Sequence, residues 1–211
     1  MLGTEDQEGI MVLTLKELFD KINVYSKERE YKVKLWYIEI YNENIRDLLS
    51  TSEEYLDLRE DPNKGLSISN ISELNVTSCA DIMQLLKKGN RNRTQEATNA
   101  NETSSRSHAI LQVQIEYKEK ASGIDVEIKT GKLSMIDLAG SERASATQNR
   151  GIRLIEGANI NRSLLTLGNC INALCEANEK GTKPYVPYRD SKLTRLLKVY
   201  KIKLFPIKFL L

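Results

Sequence analysis

Cysteine is scarce in this chain: Cys79, Cys170 and Cys175 are the only three in 211 residues. They are too few and too scattered for a disulfide framework or a zinc-binding set, which points to a reducing cytosol. No run of about 18 apolar residues exists to make a membrane span. The start, Met1-Leu-Gly-Thr-Glu-Asp6, has neither the basic nor the apolar region of a secretory signal. Aromatic residues are 6% of the chain and do not interleave with the basic ones, so no nucleic-acid-binding pattern emerges. Internal repeats and low-complexity segments are missing too. What is present, 40% hydrophobic and 28% charged residues, suits a soluble globular domain or a large part of one.

The net charge of +2 hides an asymmetry. Residues 138–211 hold thirteen Lys and Arg against five Asp and Glu, and the preceding residues are net acidic. A basic final third suggests an acidic partner surface, although a solvated face is the commoner meaning of such a bias.

Hydrophobic periodicity predicts alternating helices and strands. Val12, Leu15, Leu18, Phe19 and Ile22 recur at helical spacing, with Thr14-x-x-Glu17 as a possible cap. Val33, Leu35 and Tyr37 alternate with polar neighbours as a strand, ended by Asn42-Glu43-Asn44. Between Leu56 and Val76, short alternations broken at Asp61-Pro62-Asn63-Lys64-Gly65 read as a hairpin. Ser78 caps a helix through Leu86, closed by Gly89, and Arg91 to Ser107 reads as loop. Strands follow at Leu111–Tyr117 and Lys132–Asp137, with a turn at Ala121-Ser-Gly123. A helix from Glu156 to Ala177 carries a stripe of Ile160, Leu164, Leu167, Ile171 and Leu174 that should be buried. A short basic helix runs from Ser191 to Lys198. The pattern is α/β, with helices packed on a mixed sheet.

Two motifs carry chemistry. Asp137-Leu-Ala-Gly140 places an acid at the end of an apolar strand with a glycine three residues on. In nucleotide hydrolases such an acid lies by the Mg²⁺ shell and such a glycine brings a backbone N–H to the γ-phosphate. Asn101-Glu-Thr-Ser-Ser-Arg-Ser-His108 supplies hydroxyls and an arginine. Each motif alone is common in ordinary turns and loops.

Their combination is specific. Asn101–His108, Asp137-Leu-Ala-Gly-Ser-Glu142, Gly157-Ala-Asn-Ile-Asn-Arg-Ser-Leu-Leu-Thr-Leu-Gly168 and Tyr188-Arg-Asp-Ser-Lys-Leu-Thr-Arg-Leu-Leu197 follow in this order. They resemble switch I, switch II, the relay helix and the following loop–helix of the kinesin motor domain. Tyr37–Leu49 is similar to a kinesin strand–helix segment. Asn90-Arg-Asn-Arg-Thr-Gln95, Ser141-Glu-Arg-Ala-Ser145 and Leu167-Gly-Asn-Cys-Ile-Asn-Ala173 resemble the kinesin-8 class, including its kinesin-19 type.

The resemblance implies an ATP and Mg²⁺ site and a microtubule partner in the cytoplasmic cytoskeleton, with no nucleic acid or membrane. Ser105 is then the Mg²⁺ ligand, and Asn101 and Ser104 position the attacking water. Asp137 holds a water of the Mg²⁺ shell, and the Gly140 N–H senses the γ-phosphate. Arg106 pairs with Glu142 to close the site, a charge-assisted clamp between two loops, and Glu142 relays a proton through water. His108, the only histidine, reads as a packing and hydrogen-bonding residue. Microtubule contact falls on Arg143, Arg150 and Arg153 in the loop before the relay helix, and on Asn159, Arg162 and Ser163 on its polar side. Lys180, Lys183, Tyr188, Arg189, Lys192 and Arg195 continue that face.

Three departures shape the expectation. No G-x-x-x-x-G-K-S/T phosphate loop occurs: the nearest glycine pair, Gly151 and Gly157, is followed by Ala158-Asn159. Without such a cradle of backbone N–H groups, ATP should bind weakly. The match ends at Lys198, so residues 1–198 read as a partial motor domain truncated at both ends and 199–211 as an apolar, basic tail outside the family. Missing central strands would leave Lys132–Asp137 with an open edge, prone to association. Three functions stay open: a motor ATPase fragment, a nucleotide-independent microtubule-binding module, and a non-functional truncation product.

Overall fold

The computed structural model describes residues 1, 3, 7–52, 54–61, 65–94, 106–120, 127–140, 152–181 and 185–198, with the side chains of 61, 65, 94 and 152–157 left aside. The chain divides into two compact units, Met1–Leu56 with Asn70–Gly140, and Asp57–Ser69 with Ser141–Leu211.

The first unit is a sheet with two helices on one face. Helix α1 spans Ile10–Tyr25 and buries Met11, Val12, Leu15 and Phe19, one stripe of a 3.6-residue period. It begins earlier than the Thr14-x-x-Glu17 pattern suggests. Gly9 is its cap, and the Gly9 carbonyl accepts the N–H groups of Val12 and Leu13 at 3.0 and 3.1 Å. The apolar stripe starts at Met11, so the helix must already be formed there.

Strand β1 (Arg29–Tyr41) is the backbone of the sheet. It runs straight into β2 (Asn44–Asp47) through a two-residue turn in which Asn42 and Glu43 both have positive φ, 50° and 59°. Such a turn matches the right-handed twist of paired strands. The strand–helix expected over Tyr37–Leu49 is therefore a hairpin: Tyr41 faces Asn44 and Ile38 faces Asp47. Strands β3 (Tyr55–Leu56), β6 (Leu74–Val76), β7 (His108–Glu119) and β8 (Lys129–Asp137) complete the order β3-β2-β1-β7-β8, with β6 also on β1. All of these ladders are antiparallel, where a mixed sheet was expected. Of these pairs β1–β2 is a direct hairpin, whereas β1 and β7 pair across the intervening β2 to β6 and α2. Among the described residues β8 pairs only with β7 and forms an edge. The turn expected at Ala121–Gly123 lies outside the described residues.

Helix α2 spans Cys79–Thr94. Ser78 does cap it: its Oγ accepts the Asp81 N–H at 3.1 Å, and Asp81 Oδ2 accepts the N–H of Ser78 and Thr77 at 3.0 Å each. Those bonds, led by Thr77's backbone, hold the Asp81 carboxyl below its usual range. The helix does not stop at Gly89 but runs five residues further. Gly89 is there for close approach: a Cβ on it would lie 2.5 Å from Cδ1 of Tyr37. Ile82 and Leu86 of α2 and Leu15 and Phe19 of α1 pack on Val33, Leu35, Leu111 and Val113 to form the core.

The second unit holds the hairpin of β4 (Leu58–Asp61) and β5 (Gly65–Ile68), as the Asp61–Gly65 pattern implies. It also holds α3 (Ile152–Lys180), a 3₁₀ turn at Tyr188–Asp190, and α4 (Lys192–Lys198). Helix α3 is 29 residues, about 43 Å of rod at 1.5 Å per residue. Its expected buried stripe is only half-buried; the buried residues are Ser163, Thr166 and Cys170. Ser163 and Thr166 turn their hydroxyls back to the carbonyls of Ile160 and Arg162, at 2.8 and 2.9 Å, so each can be buried without an outside partner.

Candidate functional site

The site grows from the register of three strands. Glu39 of β1 faces Ala109 of β7, and Ala109 faces Asp137 of β8. The three therefore form one row across one face of the sheet. That row lies at the end where β1 from Tyr37 to Ile40 and β7 from His108 to Val113 are buried without alternation. The middle residue has only a methyl group, and Glu39 is 2% exposed.

Arg93, in the last turn of α2, packs over this row. Nη1 donates to Asp137 Oδ2 at 2.9 Å, Nε to Ser107 Oγ at 3.1 Å, and Nη2 to the Ser107 carbonyl at 2.7 Å. Glu39 Oε1 is 3.9 Å from Nε. Arg93 is 5% exposed, and a guanidinium buried to that degree needs this company of oxygens. The rest of the helix end is pinned by polar groups as well. Lys88 Nζ donates to the Leu49 carbonyl at 3.1 Å, and Asn92 Nδ2 to the Leu48 carbonyl at 2.7 Å. Asn90 Oδ1 accepts the Tyr37 hydroxyl at 2.8 Å. Burial, ahead of nearby charges, pushes the Tyr37 phenol up to about 12, so it stays a donor.

His108 ties the same strand ends together differently. Its Nδ1 accepts the Ala139 N–H at 3.0 Å, which leaves the ring proton on Nε2. Burial first, and the charge of Arg93 second, push its pKa down to about 4. The ring is neutral and packed, as its place in the sequence suggests.

Asp137 and Ala139 are thus held at and just beyond the C-terminal end of β8, with Gly140 the next residue, and the Asp137 side chain keeps 36% exposure. Arg106 stands half-buried in the turn before β7. Asn101, Ser104, Ser105 and Glu142 lie outside the described residues, and with them the Arg106–Glu142 pair. A half-exposed carboxylate held by an arginine fits the role of orienting water around a hard cation such as Mg²⁺.

On the basic face, Arg143, Arg150 and Lys183 lie outside the described residues, and Arg153 is placed on α3 by its backbone alone. Asn159 is half-buried and Arg162 exposed. Ser163, expected on the polar side, is 2% exposed, because it sits on the stripe that α3 buries. Lys180 is exposed and paired with Glu176 at 3.3 Å. Tyr188, Lys192 and Arg195 are half-buried, and burial raises the Tyr188 phenol. Thr194 locks this segment: its hydroxyl donates to the Tyr188 carbonyl at 2.8 Å, and its N–H reaches the capping Ser191 Oγ at 3.1 Å. Glu60 of β4 draws in Lys198 at 2.6 Å and Arg189 at 3.6 Å.

Arg93, Ser107, Glu39 and Glu60 were not among the residues singled out from the sequence. Arg93 could have been: it continues the stripe Ile82, Leu86, Gly89 at helical spacing, and an arginine on an apolar face is a buried-charge flag. Glu39 and Glu60 carry no such flag, since only strand register and tertiary packing bring them to their partners.

The kinesin motor-domain family model matches residues 1–200, and the chain belongs to that family. It is 59% identical over 198 residues to the Xenopus laevis kinesin-like protein KIF19, covering 94% of this chain and 20% of the relative. It is 52% identical to Saccharomyces cerevisiae kinesin-like protein KIP3, covering 93% of this chain and 24% of the relative. The chain therefore spans about a fifth to a quarter of these curated relatives. Among solved structures, a KIF14 dimer bound with AMP-PNP to a microtubule matches with a TM-score of 0.83 at 37% identity, over 94% of this chain and 57% of that one. A fast kinesin matches with a TM-score of 0.79 at 37% identity, over 94% and 54%. The fold is the kinesin motor fold, represented in part.

Proposed function

We propose that this chain is the switch-bearing and microtubule-facing portion of a kinesin-8-type motor, with residues 1–198 as motor domain and 199–211 as a tail outside it. The observation that carries the reading is the Asp137 carboxylate, gripped by Arg93 at the open end of β8 with Gly140 three residues beyond. The 50–59% identities to KIF19, KIP3 and KIF18B proteins support the class.

In this reading ATP with Mg²⁺ supplies the phosphoryl group and the charge that draws the switches inward. This chain's own residues do the sensing. Asp137 would orient a water of the metal shell, and the Gly140 N–H would sense the terminal phosphate. Asn101, Ser104, Ser105, Arg106 and Glu142 complete the site from the flanking loops. Arg162, Lys180, Arg189, Lys192 and Arg195, together with Arg143, Arg150, Arg153, Asn159, Lys183 and Tyr188, present charge and hydrogen bonds to the acidic microtubule surface. The place of action is the cytoplasmic microtubule cytoskeleton.

A second reading is a microtubule-binding module indifferent to nucleotide, supported by the basic bias of residues 138–211. Cosedimentation with microtubules at two salt concentrations, with and without ATP, separates the two. Release on adding ATP establishes the first. Binding that weakens with salt and ignores ATP establishes the second. An absence of binding under all conditions refutes both.

A further inference from the structure

We infer that Arg93 is the positioning residue for Asp137, fixing its carboxylate through Oδ2 and tying the end of β8 to the start of β7 as one piece. The functional meaning rests on the nucleotide-sensing reading of Asp137; the geometry does not.

The guanidinium is a rigid planar fork whose donors point in fixed directions. Two of them, Nε and Nη2, are spent on one residue, Ser107, through its hydroxyl at 3.1 Å and its carbonyl at 2.7 Å. Two bonds to one residue set the plane of the fork. Once that plane is set, the direction of Nη1 follows, and Nη1 is the donor that meets Asp137 at 2.9 Å. Asp137 is thus oriented from Ser107, immediately before the strand next to its own.

Three features make the arrangement workable. Ala109, between Asp137 and Glu39 in the cross-strand row, has the small side chain that leaves space over the sheet. Glu39 adds a second negative charge 3.9 Å from the fork. The polar contacts of Lys88, Asn90 and Asn92 hold the last turns of α2, so Arg93 is presented from a fixed base. Among the described residues the Asp137 carboxylate is gripped by Arg93 through Oδ2. A lysine at position 93 could supply the charge but not the fork.

The test is amide hydrogen exchange by NMR on the whole 211-residue chain, with R93M, R93K, D137N and the double variant R93M/D137N. Val76→Ala serves as a core-weakening control. R93M should speed exchange at Ala139 and Gly140 by at least about tenfold while leaving Leu35 and Val113 protected, a local rather than global opening. R93K should fail to restore protection, D137N should reproduce the effect, and the double variant should add nothing to either single one. Val76→Ala should not select Ala139 and Gly140. Unchanged exchange in R93M, full rescue by R93K, or independent multiplication in the double variant would each overturn the proposal. Cosedimentation of the same variants adds a second reading. R93M should require several-fold more Mg²⁺ for ATP-dependent release from microtubules. If the unsubstituted chain shows no ATP-dependent release, the motor reading fails on its own, while the exchange data still decide the clamp.

Discussion

Acidification should loosen this protein through one residue. His108 is 3% exposed, and its pKa lies at about 4 against an ordinary value of 6.5. The unfolded chain therefore binds a proton at His108 between pH 6.5 and pH 4 that the folded chain refuses. A group with a depressed folded pKa contributes stability above its unfolded pKa and loses it as pH falls towards the folded one. The gap of about 2.5 units, at roughly 1.4 kcal/mol per unit, amounts to about 3 kcal/mol lost over that window. Carboxylates titrate in the same range, so the assay must isolate the imidazole. Because it is the sole histidine, its ring Cε1–H signal can be followed without overlap from another histidine in an NMR titration. Urea melts at pH 7 and pH 4.5 of the unsubstituted chain and of His108→Asn, whose amide oxygen can still accept the Ala139 N–H, give the difference. The slope with pH should be shallower in His108→Asn by about 1 kcal/mol per unit. Replacing Arg93 by Met should raise the midpoint, since the Arg93 charge is the second cause of the depression. A ring that titrates near 6.5, or identical pH profiles for the two proteins, would refute the reasoning.

Two further expectations concern packing and charge. Gly89→Ala puts a methyl 2.5 Å from the buried Tyr37 ring; overpacking of about 1–3 kcal/mol should exceed the roughly 1 kcal/mol gained in helix propensity. Thermal melts should show net destabilisation, and an unchanged or raised Tm would contradict the close approach. Glu60→Gln frees Arg189 and Lys198 from an internal carboxylate. Microtubule affinity at low salt should rise by no more than about threefold, the scale of an exposed pair; weaker binding would mean that Glu60 orders the basic face instead of competing for it.

The elements that could be read from sequence are those whose signal is local. The alternation of Leu111, Val113, Ile115 and Tyr117 gave β7, and Ser78 marked the start of α2 through a cap only three residues long. Reading failed where a neighbour overrules local preference. Gly89 looks like a helix terminator, but the Tyr37 ring beneath it requires a glycine there and the helix continues. The β1–β2 hairpin was missed because Asn42-Glu43 is a weak turn signal, made decisive by the ladder that closes on either side. On α3, periodicity marked Ile160 and Leu164, while the face actually buried carries Ser163, Thr166 and Cys170.

By itself the amino-acid sequence determined the family, the order of the switch motifs and the basic character of the last third, since these depend on residue identity and spacing alone. Only the tertiary structure decided how Asp137 is held. Arg93, Ser107 and Asp137 are separated by 14 and 44 positions along the chain. Nothing in local sequence relates them; strand register and the docking of α2 do. A buried guanidinium chooses its partners by geometry, and that geometry exists only once the sheet and helix have packed.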